Sequence, residues 1–287
     1  MDKKIRLKML CSFSSSKDLC DEWKVICENE YQWKNFEITW NDHEIDYYII
    51  INFPRPGEYF VPSKTILFQM EPKCATRNWK KWRNPDPTQF LYVGTHERSL
   101  NNIQVQFKKI PIHFPSTRED KAMIILSAKN KDPGHKKRIN LLKNDKKGWI
   151  DIYGRGNYHH LENYKGVLPN DNKEDLFVKY KYSFQAENNS EYNYATEKIW
   201  EAIVCENLCF YWGCPNLETY IDPKAFVRLD LDNIPSSLKI IEQAIKEDWW
   251  SQRIDIIRKM KDKILNELSF FPRIEKIIQN NHKSAKV

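Results

Sequence analysis

Glycine is scarce, with 8 in 287 residues, too few for glycine-rich phosphate loops or a repeat architecture. No G-x-G-x-x-G follows a strand-like segment, which excludes the dinucleotide fingerprint of nicotinamide dehydrogenases. No apolar run approaches the roughly 20 residues needed to cross a bilayer. The longest, Tyr47 to Phe53 and Met123 to Leu126, are strand-length. Among the 7 cysteines there is no C-x-x-C pair, their number is odd, and no secretory leader is recognised before them. A reducing, cytoplasmic setting is therefore expected. Cys205, Cys209 and Cys214 surround apolar Leu208, Phe210, Tyr211 and Trp212, so they read as thiols of a buried strand, and no metal site is expected.

Apolar residues, by contrast, are ample. Hydrophobic side chains make up 41% and aromatics 13%, including 10 Trp, 14 Tyr and 14 Phe, which suffices for real cores and excludes wholesale disorder. The net charge of +7 favours anionic partners. Most lysines alternate with Asp and Glu and read as solvated surface, so charge alone names no partner.

Strand-like and helix-like segments alternate along the chain. Strands are expected at 5–10, 37–40, 46–52, 65–70 and 89–93, with a helix over 14–29 behind a serine-rich cap. Ile110-Pro111-Ile112 and Phe114-Pro115 then break the pattern. It resumes with strands at 123–127, 149–153, 182–186, 208–212 and 226–229, and helices at 135–144, 173–179, 196–206, 236–246 and 249–268. Alternation of this kind predicts parallel sheets with helices on both faces. We divide the chain into a first lobe over 1–118, a second lobe over 119–248, and a C-terminal helix with a polar, frayed tail over 249–287.

The most informative stretch runs from Tyr180 to Leu229. A strand ends in the polar loop Glu187-Asn188-Asn189-Ser190, and a helix starts near Thr196. Unpaired N–H groups at a helix start carry partial positive charge and suit a diphosphate. Lys198 is electrostatically misplaced in a first turn, which favours anion contact over structural duty. Glu197 fits the dipole and reads equally well as a surface acid.

Over this stretch the chain resembles the α-1,3/4-fucosyltransferase family (glycosyltransferase family 10). The carriers are Ala186-Glu187-Asn188-Asn189, Tyr194-Ala195-Thr196-Glu197-Lys198, Trp212-Gly213-Cys214-Pro215 and Asp222-Pro223-Lys224-Ala225-Phe226-Val227, in family order and without a gap from Glu187 to Lys198. Upstream, Ile124 to Lys129 followed by Arg138, and Ile152-Tyr153-Gly154-Arg155, resemble the family more loosely. Ala186, Asn189 and Cys214 depart from its usual Phe, Ser and Ser or Gly.

The resemblance implies a GT-B fold of two Rossmann-like lobes with a cleft between them, and inverting transfer of L-fucose from GDP-fucose to a glycan hydroxyl, without a cofactor or obligatory metal. It is similar to the anchorless bacterial or viral type. Arg138 and Lys198 would neutralise the diphosphate, aided by the helix start at Thr196. Tyr194 would bond phosphate or pack on the sugar, and Glu197 would hold hydroxyls and stabilise positive charge at the anomeric carbon. Glu187, Asn188 and Gly154 would shape the donor site.

The resemblance makes 1–118 an acceptor-binding lobe and 119–248 a donor lobe, and it places the general base in the first, as a Glu shortly after a strand. Glu71, after the strand-like Leu67-Phe68-Gln69-Met70, is the best match, in a partly desolvated position that raises its proton affinity. Glu58 and Glu97 are rivals. Trp79 and Trp82, in the basic-aromatic run Trp79-Lys80-Lys81-Trp82-Arg83, would form an acceptor-sugar platform. The same run suits single-stranded nucleic acid, so a nucleic-acid binder remains an alternative, as does a different nucleotide-sugar donor. His96, His159 and His160 read as solvated loop histidines. Trp149, Trp200, Trp249 and Trp250 are expected in the core.

Overall fold

The computed structural model describes residues 3–105, 107, 112–168 and 172–284. The chain forms two compact units, Met1–Gln106 with Leu268–Val287, and Phe107–Glu267.

The first unit holds β1 (Ile5–Cys11), α1 (Ser16–Trp23), β2 (Gln32–Trp33), β3 (Phe36–Thr39), β4 (Tyr47–Ile51), β5 (Thr65–Phe68) and β6 (Tyr92–Gly94). Its sheet runs β2-β3-β1-β4-β5-β6. All neighbours are parallel except the β2–β3 hairpin. Alternation in β1 sends Leu7, Met9 and Cys11 to one apolar face and Leu10 to the other, where Ile50, Leu67 and Val93 meet it. Lys8, between them, is 3% exposed and bonded to Asp42, with Glu58 3.8 Å away.

The second unit holds β7 (Glu119–Ile125), α2 (Pro133–Asn144), β8 (Ile150–Tyr153), β9 (Tyr164–Gly166), α3 (Lys173–Phe177), β10 (Tyr180–Ala186), α4 (Glu197–Val204), β11 (Leu208–Trp212), β12 (Phe226–Arg228), α5 (Ile234–Lys246) and α6 (Trp249–Lys263). The sheet is wholly parallel, in the order β12-β11-β10-β7-β8-β9. β10 lies near its middle, and its side chains from Tyr182 to Ala186 are buried on both faces, as expected of a strand covered by helices. A π-helical turn, Ile264–Leu268, follows α6 and leads into α7 (Phe270–Ser284).

Four expectations are corrected. The units divide after residue 106 rather than 118, and 108–111 of the expected boundary lie outside the described residues. The segment 249–287 is not one appendage: α6 packs with the second unit, and α7 returns to the first. Nor is its end a frayed tail as far as Ser284. Phe270, Phe271, Ile274 and Ile278 bury their i, i+4 stripe against the face carrying Leu7, Met9, Ile49 and Phe68. The Phe270 ring lies 4.0 Å from that of Trp23, and Phe271 stacks on Trp33 at 5.3 Å. Finally, the helix expected over 14–29 ends at Trp23, passes through a 3₁₀ turn at Lys24–Ile26, and stops where Glu30 adopts φ 40°.

Candidate functional site

The site is built where β10 ends. Glu187 continues the ladder for one residue, its N–H donating to Trp212 O at 2.9 Å, and its side chain is wholly buried. A buried carboxylate is tolerated only when fully bonded, and this one is. The Thr196 N–H donates to Oε1 at 2.8 Å, the Thr196 hydroxyl to Oε2 at 2.7 Å, and the Tyr211 hydroxyl to Oε1 at 3.3 Å. Thr196 is the N-cap of α4, but its hydroxyl turns away from the helix N–H groups to bond Glu187. The start of α4 is thereby fixed to the end of β10.

Lys198 Nζ lies 3.3 Å from Glu187 Oε2 and 3.0 Å from Glu197 Oε1, and donates to Thr196 Oγ1 at 3.0 Å. Burial would lower its proton affinity, but the two carboxylates outweigh this and raise it. Burial likewise opposes ionisation of Glu197, yet the Lys198 ammonium holds that carboxyl below its ordinary range. Lys198 is thus held by two acids.

A second helix start meets the same strand end. The Gly134 N–H of α2 donates to Asn188 O at 3.0 Å, and a Cβ at Gly134 would sit 1.8 Å from Glu187 O. Only glycine permits this approach. At Gly213 a Cβ would lie 2.4 Å from Glu187 Cγ, which explains the Trp-Gly turn after β11. One turn into α2, Arg138 Nη1 donates to Ala186 O at 3.0 Å. Its Nε is buried without a hydrogen-bond partner, and among the described residues no carboxylate forms an ion pair with it. Desolvation lowers its pKa against the pull of Glu187 and Glu197. A buried cation with an unsatisfied N–H has the chemistry to receive an anion.

Arg138, Glu187, Tyr194, Thr196, Glu197 and Lys198 therefore converge; Tyr194 is 2% exposed and electrostatically coupled to Arg138. Asn188 adjoins them, half-buried, through its contact with α2. Gly154 does not join them: its N–H bonds Gly166 O at 3.1 Å, and the position faces Leu126 O, so it closes the β7–β8 packing. Sequence reasoning missed Gly134, Tyr211 and His135. The ring nitrogen Nδ1 of His135 accepts from the Asp132 N–H at 3.2 Å, and burial, then Arg138, depresses its pKa. The only signal was Asp132-Pro133, a cap followed by a first-turn proline.

In the first unit, Glu71 lies just past β5 and is exposed, not partly desolvated as expected. It lines a cavity of about 250 Å³ with Gln69, Lys73, Arg83, His96 and Glu97. His96 is 6% exposed, so it is not a solvated loop residue. Glu97 pairs with Lys73 at 2.8 Å, and Glu58 is drawn toward Lys8. Trp79 and Trp82 are half-buried, packed edge-on or tilted against Phe53 (5.0 Å), Phe60 (6.1 Å) and Phe90 (6.2 Å). Of the four tryptophans expected in the core, Trp200 is fully buried and Trp149, Trp249 and Trp250 are half-buried. Among the described residues no group of three or more His, Cys, Asp or Glu is placed to hold a metal, and no helix is long and apolar enough to cross a membrane.

Comparison with known proteins places these observations. Residues 115–248 match the profile described as glycosyltransferase family 10 (fucosyltransferase), C-terminal part. An α-(1,3)-fucosyltransferase, FucT, of Helicobacter pylori is 33% identical over 72 residues, 25% of this chain and 15% of that protein. The match thus spans a small part of the curated relative. A crystal structure of an α1,3-fucosyltransferase superimposes with a TM-score of 0.55 at 15% identity, covering 88% of this chain and 80% of that one. A crystal structure of an α1,3-fucosyltransferase with GDP gives 0.52 at 15% identity, covering 92% and 91%. Sucrose-phosphate synthase from Thermosynechococcus elongatus gives 0.54 at 7%, covering 85% and 75%. The fold is GT-B, two α/β units with parallel sheets. The matched span takes in every strand of the second unit and the two helix starts that meet at Glu187, and over that span the chain is similar to glycosyltransferase family 10.

Proposed function

We propose that the chain is an inverting glycosyltransferase that moves L-fucose from GDP-fucose to a hydroxyl of a glycan acceptor, with no metal required. The observation that carries this reading is Arg138, a buried guanidinium with an open Nε beside Lys198, Glu187 and Glu197, inside the span that matches the fucosyltransferase family. A related fold in a fucosyltransferase bound to GDP supports the same donor.

The acceptor oxygen attacks the anomeric carbon as its bond to the β-phosphate oxygen breaks, and a carboxylate takes the hydroxyl proton. Charge accumulates on the departing diphosphate. Fixed cations in a desolvated site stabilise it without reorganising. Arg138 is preorganised by its bond to Ala186 O. Lys198 exchanges Glu197, the more exposed of its two acids, for a phosphate oxygen. Glu197 is then free to accept from donor hydroxyls. Glu71 is the proposed base. All seven thiols are unpaired, which fits the proposed cytoplasmic setting.

The test is ligand-dependent stability. A ligand bound only by the native state raises the melting temperature with its concentration. GDP is expected to do so with chelator present, whereas UDP and oligonucleotides leave it unchanged. Stabilisation by UDP alone would favour a different donor. Lys198→Ala should lose the GDP response; Glu71→Gln should keep it and lower kcat by about 10²-fold or more, the scale of general-base catalysis. Turnover of Glu71→Gln at the parent rate would remove Glu71 from the mechanism.

A further inference from the structure

A second cavity, of about 460 Å³, opens in the second unit between Phe114–Arg118, Lys181, Glu206, Trp250 and Arg258. Lys181 is near the first residue of β10 and Glu187 follows its last. At about 3.3 Å per residue the strand puts roughly 20 Å between this cavity and the Glu187 cluster. It lies at the amino end of the sheet, away from the donor groups.

Its walls carry an unbalanced positive charge. Among the described residues three cations line it (Arg118, Lys181, Arg258) and one acid, Glu206. That acid already binds Arg258 at 3.1 Å and Lys261 at 2.9 Å. Lys181 has Asp120 at 2.6 Å and Asp248 at 3.3 Å, neither of which lines the cavity. Arg118 has no carboxylate at ion-pair distance among the described residues. Its Nη1 donates to the carbonyls of Tyr180, Cys205 and Glu206 at 3.0 to 3.4 Å, and its Nε and Nη2 have no hydrogen-bond partner among those residues.

Aromatic rings hold these cations in place. The Arg118 guanidinium sits 5.0 Å from the Phe114 ring and 5.4 Å from Trp250, and Lys181 approaches Trp250 at 5.3 Å. The Trp250 indole N–H donates to Glu206 O at 2.7 Å. Glu206 itself sits in the left-handed region, φ 58°, at the helix-end position that favours glycine. A charged residue kept in that conformation, on two cations, marks a built wall rather than a chance surface.

We propose that this cavity binds a small phosphate ester, held by the open edge of Arg118 with Arg258 and Lys181. A guanidinium edge matches two phosphate oxygens at once, and a phosphomonoester carries close to two negative charges at neutral pH, which suits several convergent cations better than a carboxylate would. The size of the cavity accommodates a phosphorylated monosaccharide. This site is independent of the donor reading.

The experiment is calorimetric titration of the full chain, saturated with GDP, with glucose 6-phosphate, inorganic phosphate and glucose. Glucose 6-phosphate should bind with GDP present, weaken with added salt, and weaken at least tenfold in Arg258→Gln; glucose should not bind. Arg118→Gln should abolish binding, and because Arg118 also anchors three carbonyls, Arg258→Gln, whose side chain is 57% exposed, serves as the variant expected to fold. Equal binding by Arg258→Gln, equal binding of glucose, or competition by GDP would each overturn the proposal.

Discussion

Glu187 is the residue on which the second unit's site is assembled, because one carboxylate receives the N–H and hydroxyl of Thr196, the Tyr211 hydroxyl and the Lys198 ammonium. Removing one partner of a buried ion pair typically costs about 3–5 kcal/mol. Glu187→Gln should therefore lower the stability of the second unit by an amount of that order, read from urea denaturation, and should weaken GDP binding with it. Arg138→Lys keeps the charge but cannot both bond Ala186 O and present a fork; a loss of GDP affinity of about tenfold or more is expected with little change in melting temperature. Glu206 supplies a pH dependence. Burial opposes its ionisation, but Lys261 and Arg258 outweigh burial and hold its carboxyl below the ordinary 4.5. A depressed folded pKa contributes stability above the unfolded value that is lost as pH falls through the folded one. Denaturation followed below pH 4.5 should show Glu206→Gln losing less stability on acidification than the parent. Glu187, Thr196, Glu197 and Lys198 were legible because they fall in one stretch of twelve residues; Gly134, His135 and Tyr211 were not, because α2 and β11 reach Glu187 only in three dimensions.

At the scale of elements, periodicity located nearly every strand that carries a buried run. It missed β2 and β9, of two and three residues, too short to show alternation. It misjudged α7 for a different reason. Phe270, Phe271, Ile274 and Ile278 do form a helical stripe, but between them lie Arg273, Glu275 and Lys276, and the polar run after Gln279 suggested a solvated end. What the stripe packs on, Leu7, Met9, Ile49 and Phe68, lies more than 200 residues earlier in the chain. Truncating a buried Phe to Ala commonly costs about 3–5 kcal/mol. Phe271→Ala should destabilise the first unit by that order while GDP still raises the melting temperature of the second.

For the whole molecule, the family resemblance pointed to the second unit, and its motifs, from Ile124 to Val227, lie inside the profile match at 115–248. The first unit was legible only as a fold: Glu71 could be singled out, but its exposure and its neighbours His96 and Glu97 depend on how the loops after β5 and β6 fold over each other. Thiol accessibility checks the packing within each unit. Cys74 is the exposed cysteine and the others are buried or half-buried; burial pushes Cys20 and Cys27 up to about 12. In native protein Ellman's reagent should titrate one thiol quickly, and Cys74→Ser should abolish that phase.

The return of α7 to the first unit also sets an order of events on the ribosome. The second unit is continuous in the chain, so it can close as soon as residue 267 has left the exit tunnel. The earlier-made sheet must wait, with Leu7, Met9 and Ile49 uncovered, until Phe270 and Phe271 emerge. What is synthesised first is completed last. During that interval the waiting sheet face is where a chaperone would be needed, and where a stalled nascent chain would first aggregate.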